Sequence, residues 1–170
     1  QVNQTIVFID AHVDNIQNLI SGVLPGVDVQ LIKPDQDGIE QISAALNAQP
    51  RRHVHIVAHG VPGCLYLGNA QLSLETLEHY SQNLQAWFQS AASESELLLY
   101  GCNVGAGDAG SEFLGKLQQL TQANIAASTS KIGAANLGGN WDLDTTVGTV
   151  TQATPFTAET MAAYAGVFAY

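Results

Sequence analysis

Cations are scarce in this chain. Only 5 of its 170 residues are Lys or Arg, against 15 Asp or Glu, giving a net charge of −10. A surface of that sign opposes phosphate backbones and anionic lipid headgroups, so no nucleic-acid partner is expected. Long apolar runs are missing as well. None approaches the roughly 20 residues that span a bilayer, so no membrane insertion is expected. The opening Gln1-Val2-Asn3 has neither an initiator Met nor the apolar core of a signal peptide, and the stretch reads as excised from a longer chain. Two cysteines, Cys64 and Cys102, are too few for a disulfide scaffold and form no CxxC zinc pair. No GxSxG elbow, Walker A loop or GxGxxG occurs, which removes the common serine-hydrolase and nucleotide-binding readings.

What is present is a 46% hydrophobic, 12% charged chain, enough for one well-buried core. We read 1–170 as a single domain with a core over about 5–144 and a C-terminal strand and helix extension over 145–170. Few lysines with abundant Gln, Asn, Thr and Ala suit a secreted or cell-surface bacterial protein.

Thr5-Ile6-Val7-Phe8-Ile9 is an apolar, β-branched run of the kind buried on both faces of a parallel sheet. Ile16, Leu19, Ile20 and Val23 recur at helical spacing, and Val27–Ile32 is a second strand. Asp37 and Glu40 read as a capping box opening a helix on Ile39, Ile42, Ala45 and Leu46. A third strand, Val54–Ala58, stops at His59, and a short hairpin comes next at Cys64–Gly68. Leu74, Leu77, Tyr80, Leu84 and Trp87-Phe88 predict one long helix before the strand Leu97–Tyr100. A turn at Gly101-Cys102-Asn103 then opens a helix faced by Phe113, Leu114, Leu117 and Leu120. Ile125–Ala127 is a fifth strand, Trp141–Asp144 with Val147 and Val150 a sixth or a hairpin, and a tail helix covers about Ala158–Ala165. Alternation of this kind predicts an α/β fold, three-layer α-β-α, with a mostly parallel, doubly wound sheet whose functional crevice lies at the carboxyl ends of its strands.

If the third and fourth strands are parallel neighbours, His59 and Cys102 emerge on one rim. A thiol needs a base, and an imidazole beside it supplies one and later protonates the leaving group. The backbone N–H groups of Gly60 and Cys102 then form a candidate oxyanion hole, and the succeeding helix would add a positive dipole end favouring thiolate. The bland reading makes Cys102 a small buried hydrophobe and His59 a turn residue. Cys64 is open to three roles: hairpin packing, a resolving thiol, or a disulfide partner of Cys102. His53, His55 and His59 share strand parity, but the ligand set for zinc is incomplete, so no metal is expected. Asp35-Gln36-Asp37-Gly38 has Lys33 where an EF-hand loop needs an acid, and reads as a turn.

The run Ile56-Val57-Ala58-His59-Gly60, a Gly-containing hairpin, a long helix and Leu98-Leu99-Tyr100-Gly101-Cys102 resembles the caspase-like, or clan CD, cysteine peptidases. Their histidine and cysteine stand about 50 residues apart in caspases; here the separation is 43. Within that fold the chain is similar to a bacterial domain of unknown function found in very large surface proteins with cadherin-like or calcium-binding repeats. Phe8-Ile9-Asp10, Asp37-Gly38, Ala58-His59-Gly60, Leu67-Gly68, Tyr100-Gly101-Cys102-Asn103 and Gly138-Gly139-Asn140-Trp141 carry that likeness, over Thr5 to Asp144. The resemblance implies His59 and Cys102 as catalytic dyad with the Gly60 and Cys102 amides as oxyanion hole. Gly101-Cys102-Asn103 departs from the caspase pentapeptide, so aspartate specificity is not implied.

The expectation is therefore a cysteine endopeptidase, self-processing or acting on another peptide or protein, that requires no cofactor and is compatible with calcium regulation. Asp10, His12, Asp37 and Asp108 are candidate substrate-binding residues at the productive rim, and from the acids we expect a basic residue before the cleaved bond. The competing expectation is a non-catalytic binding or structural module of a surface adhesin.

Overall fold

A computed structural model of the chain describes residues 3–91 and 94–170. Its strands are β1 Thr5–Asp10, β2 Val27–Ile32, β3 His53–Val57, β4 Gly60–Val61, β5 Cys64–Leu67, β6 Ala70–Ser73, β7 Glu96–Tyr100, β8 Asn124–Ala127 and β9 Thr145–Val147. Its helices are α1 Ile16–Ser21, α2 Gly38–Ala48, α3 Leu74–Leu77, α4 Ser81–Ala86, α5 Gly107–Thr121 and α6 Ala158–Ala163. Six strands form one sheet in the order β2-β1-β3-β7-β8-β9, and β4-β5-β6 form a small second one. Every pairing in the large sheet is parallel except β8 with β9. With helices on both faces, this is the expected three-layer, mostly parallel α/β architecture.

Alternation along the central strands builds two cores. Ile6 and Phe8 of β1, Val54 and Ile56 of β3, and Leu97 and Leu99 of β7 face α2, α4 and α5, where Ile39, Ile42, Leu84, Phe113, Leu114 and Leu117 meet them. Each fully buried aliphatic side chain of that stripe contributes about 1.5–3 kcal/mol of transfer free energy. The intervening positions Val7, Ile9, Val57, Leu98 and Tyr100 belong to the other face. There the cover is short: α1, the α6 region, and coil carrying Trp141, Phe156, Tyr164 and Phe168. Burial on both faces is why these strands are continuously apolar in sequence.

Several elements differ from the sequence expectation. The single helix expected from Leu74 to Phe88 is two, α3 and α4, because Tyr80 leaves the helical well at φ −98°, ψ 13° while its hydroxyl donates to Asp37 Oδ2 at 2.6 Å. Asp37 caps α2 by accepting from the Ile39 and Glu40 N–H groups, but Glu40 accepts from Asn83 instead of completing the box. The sixth strand is β9 at Thr145–Val147, while Trp141–Asp144 is coil. Beyond β9 the chain is clamped to the start of β7. There Glu96 accepts from the Thr151 N–H, the Thr151 hydroxyl and the Gln152 N–H. Burial pushes that carboxyl up, but these bonds and the nearby His53 outweigh it and hold it below its ordinary value.

Candidate active site

β3 and β7 are parallel neighbours with Val57 opposite Tyr100. Two residues beyond each come His59 and Cys102, so the period of two puts both on the Val57–Tyr100 face. The strand ends approach closely at Gly60, where a Cβ would stand 2.6 Å from Val104 Cγ2 and 3.1 Å from the Cys102 carbonyl oxygen. No side chain fits there, which is the physical need behind the His-Gly pair. The turn after the cysteine holds Asn103 at φ 61°, a left-handed conformation asparagine tolerates.

Cys102 is fully buried and His59 only 5% exposed. The Cys102 thiol donates to the Ile132 carbonyl at 3.6 Å and accepts from the Ile132 N–H at 3.3 Å. Burial pushes this thiol up, while the backbone N–H groups of Ile132 and Phe168 and the charge of Lys131 pull the other way. Burial pushes the His59 imidazole down, against the nearby Asp10 and Asp14 carboxylates, which favour its charged form. Its Nδ1 is buried without a hydrogen-bond partner among the described residues. The helix dipole stands further from the thiol than the sequence suggests: α5 starts only at Gly107, after an irregular turn. Both cysteines are free thiols, so the disulfide alternative for Cys64 is not realised.

The Gly60 and Cys102 N–H groups donate to one acceptor, the carbonyl oxygen of Phe168, at 2.9 and 3.0 Å. That oxygen belongs to an extended segment lying antiparallel to 132–134. Phe168 N–H donates to Ile132 O at 3.1 Å, Ala134 N–H to Gly166 O at 2.8 Å, and Gly133 pairs with Val167. The receiving strand is shaped in turn by Gly138-Gly139-Asn140. Gly133 N–H donates to Asn140 O, Gly139 N–H to Ala134 O, and Asn140 N–H to Lys131 O. The Phe168 ring is fully buried, edge-on to Trp141 at 5.5 Å and tilted against Tyr164 at 5.2 Å between centroids. Beyond it, the Tyr170 ring lies on His59 at 4.1 Å and edge-on to Tyr66 at 5.2 Å.

The other sequence candidates fall into two groups. Asp10 is buried at the end of β1, one oxygen accepting from the Gly68 N–H at 2.7 Å and the other from the His12 N–H and Nδ1 at 3.0 and 2.8 Å. Asp10 and His12 thus form a pair whose charges reach His59. Asp37, bridged to Gly68, stands behind that clasp as the cap of α2. Asp108 is exposed in the first turn of α5. Arg51 lies at the opposite, amino-terminal end of the sheet, bonded to Asp28 at 2.6 Å. His53, His55 and His59 are strung along one strand direction, and among the described residues no group of three or more His, Cys, Asp or Glu is gathered to hold a metal ion. Sequence reasoning missed Ile132, Tyr164, Phe168 and Tyr170. The signal available for the last two was the apolar Val167-Phe168-Ala169-Tyr170 tail, which has no periodicity to place it.

A domain with this sheet, and with two strand-end amides converging on a peptide carbonyl, is an α/β domain with a strand-terminal site. A family model described as Domain of unknown function (DUF4347) matches residues 6–168, and the chain belongs to that family. The docked segment through Phe168 lies inside the matched region. No curated protein matches the chain. Among the described residues no helix is long and apolar enough to cross a membrane.

Proposed function

We propose that the domain is a caspase-like cysteine endopeptidase in which Cys102 is the nucleophile and His59 the proton carrier. The observation that carries this reading is the convergence of the Gly60 and Cys102 N–H groups on a single carbonyl oxygen, that of Phe168, whose own N–H is directed toward the Cys102 sulfur. Two fixed donors aimed at one peptide oxygen stabilise the negative charge that grows on it when a thiol attacks, and the buried setting strengthens them.

The electrostatics favour one version of the chemistry. Burial moves the thiol up and the imidazole down, so near neutral pH the resting pair is neutral thiol and neutral imidazole. His59 then acts as a general base during attack, as a serine peptidase histidine does, instead of sitting beside a preformed thiolate. Asp10 and Asp14 stabilise the imidazolium that forms. Neither step draws on a metal or organic cofactor, and the proposed setting is a large secreted or cell-surface bacterial protein.

The competing reading, a non-catalytic module, draws on one observation: Cys102 is fully buried, with its sulfur bonded to Ile132. The deciding experiment incubates the protein under reducing conditions, alone and with a diverse peptide library. Peptide-bond cleavage that is lost in Cys102→Ala and His59→Ala but kept in Cys64→Ala supports the peptidase. Absence of any Cys102-dependent cleavage assigns the module.

A further inference from the structure

We infer that the domain's own segment Gly166–Ala169 is the substrate of this site and that the bond cleaved is Phe168–Ala169. The inference rests on the peptidase reading and adds to it a specific bond and a specificity. Three independent features of the segment are those of a bound substrate. Its Phe168 carbonyl oxygen is held by the two amides that an attacked carbonyl requires. Its backbone is added as a strand to 132–134, the mode by which extended peptides are gripped without regard to sequence. Its Phe168 side chain fills an aromatic pocket walled by Trp141 and Tyr164. A tail packed only to bury a phenyl ring needs the third feature, but not a carbonyl aimed between the ends of β3 and β7.

The order of residues along the segment also suits the chemistry. The Phe168 N–H faces the Cys102 sulfur, whereas Tyr170, on the leaving side, covers the His59 ring. In the first step the Cys102 sulfur bonds to the Phe168 carbonyl carbon, the thiol proton passes to His59, and the carbonyl electron pair moves to the oxygen under the two amides. Collapse breaks the bond to the Ala169 nitrogen, which leaves with the proton held by His59. Water then attacks the Cys102–Phe168 thioester; its hydroxyl stays on Phe168 and its proton returns to sulfur. The balance is one peptide bond and one water consumed, one carboxyl and one amine formed.

Specificity comes from the surroundings of each position. Edge-on and tilted ring contacts select an aromatic or large apolar side chain before the cleaved bond. Two residues earlier the site favours a small residue, because a Cβ on Gly166 would stand 3.2 Å from Asp14 Oδ2 and 3.4 Å from the Tyr164 hydroxyl, tight contacts that only small side-chain shifts relieve. The receiving strand is equally constrained, since a Cβ on Gly133, at φ +133°, would meet the Gly166 carbonyl oxygen at 2.3 Å. The segment that fits best is therefore a small residue, any residue and then an aromatic one, which this chain supplies itself as Gly166-Val167-Phe168.

The test is intact-mass and C-terminal sequencing of the purified protein during incubation in reducing buffer near neutral pH. It is run with wild type, Cys102→Ala, Phe168→Leu and Phe168→Arg, beside a trans assay of fluorogenic Ala-Gly-Val-Phe and Ala-Gly-Val-Arg peptides on wild type. The expected result is a species ending at Phe168, with everything from Ala169 onward released. It is absent in Cys102→Ala, retained in Phe168→Leu and at least about tenfold slower in Phe168→Arg, with the Phe peptide preferred by a similar factor. The trans arm answers the specificity question even if Phe168→Arg does not fold. Cys102-dependent cleavage of other bonds with Phe168–Ala169 intact, or preference for the Arg peptide, overturns this inference and leaves the peptidase reading standing. Absence of Cys102-dependent cleavage in both arms removes both.

Discussion

The ring of Tyr170 rests on that of His59, with centroids 4.1 Å apart and planes 43° from parallel. Tyr170 is itself 75% exposed, yet it contributes to keeping water from an imidazole that is only 5% exposed. Desolvation is the largest influence on His59 and disfavours its charged form, whereas Asp10 and Asp14 favour it. Removing the cover therefore leaves the carboxylates in charge. In Tyr170→Ala the His59 titration, followed by NMR of its ring protons, is expected to move up toward or past the ordinary imidazole value of roughly 6.5. A downward move would show that the ring does something other than exclude water.

Gly133 provides a second handle on the docked segment. At φ +133° a residue with a side chain costs about 1–3 kcal/mol in strain. Its Cβ would also press on the backbone of Gly166 and Val167, neither of which can yield without leaving the site. Gly133→Ala is expected to accelerate hydrogen exchange at the Phe168 amide by tenfold or more, about 1.4 kcal/mol, with the β1, β3 and β7 amides unchanged. Gly115→Ala is the control. It lies within α5, where a new Cβ meets nothing within 4 Å, so it stabilises by about 0.5–1 kcal/mol. Equal exchange at Phe168 in both variants counts against a docked segment.

The central strands and the parallel pairing of β3 with β7 were legible because local pattern and topology agree there. Runs such as Val54-His55-Ile56-Val57-Ala58 and Leu97-Leu98-Leu99-Tyr100 are buried on both faces, which leaves few alternatives to parallel neighbours. Given that pairing, His59 and Cys102 each follow by two residues the ends of neighbouring parallel strands. The break between α3 and α4 was not legible, because apolar spacing continues smoothly through Tyr80, whose hydroxyl is bonded to the sequence-distant Asp37. The C-terminal arrangement was hidden for a different reason. Nothing local in Gly166-Val167-Phe168 specifies that its partner is Ile132–Ala134, more than 30 residues earlier; that choice is made by the Gly138–Asn140 turn and by the pocket. Gly138-Gly139-Asn140-Trp141 stands out as a motif in the sequence, but its part in shaping a receiving strand depends on contacts that no local pattern encodes.

The protonation state of the site can be read by alkylation. Burial raises the thiols of both Cys102 and Cys64, the latter with a further push from Glu75. A preformed thiolate would react with iodoacetamide at neutral pH, whereas these cysteines should show their alkaline limb above the roughly 8.5 of an unperturbed thiol. Mass mapping of alkylation rate against pH is expected to place both limbs there in the resting protein, and His59→Ala should leave the Cys102 limb in place. A Cys102 limb near neutral pH that disappears in His59→Ala would instead establish an ion pair and refute the general-base version of the mechanism.

His55 makes a large contribution to how the fold responds to acid. It lies at the middle of β3, fully buried and stacked on Tyr100 with centroids 5.8 Å apart and planes 15° from parallel. Neither ring nitrogen has a well-formed hydrogen bond among the described residues, and burial pushes the imidazole down to about 4, with Gln152 and the Glu96 charge pulling back. A histidine depressed in the folded state adds stability that is complete above its unfolded value of roughly 6.5 and is lost as pH falls toward the folded one. Between pH 7 and 4 this single residue is worth about 3 kcal/mol, on the rule of 1.36 kcal/mol for each pKa unit. His53 and His59, also held low by burial, lose stability over the same window, and the carboxylates held low, Asp28, Glu96 and Asp144, begin their own losses from about pH 5 downward. Phenylalanine keeps the stack on Tyr100 and cannot take a proton, so urea midpoints of His55→Phe should fall far less between pH 7 and 5 than those of wild type. Parallel decline of the two proteins over that interval would mean that His55 finds water or a partner in solution and is not held neutral by the sheet.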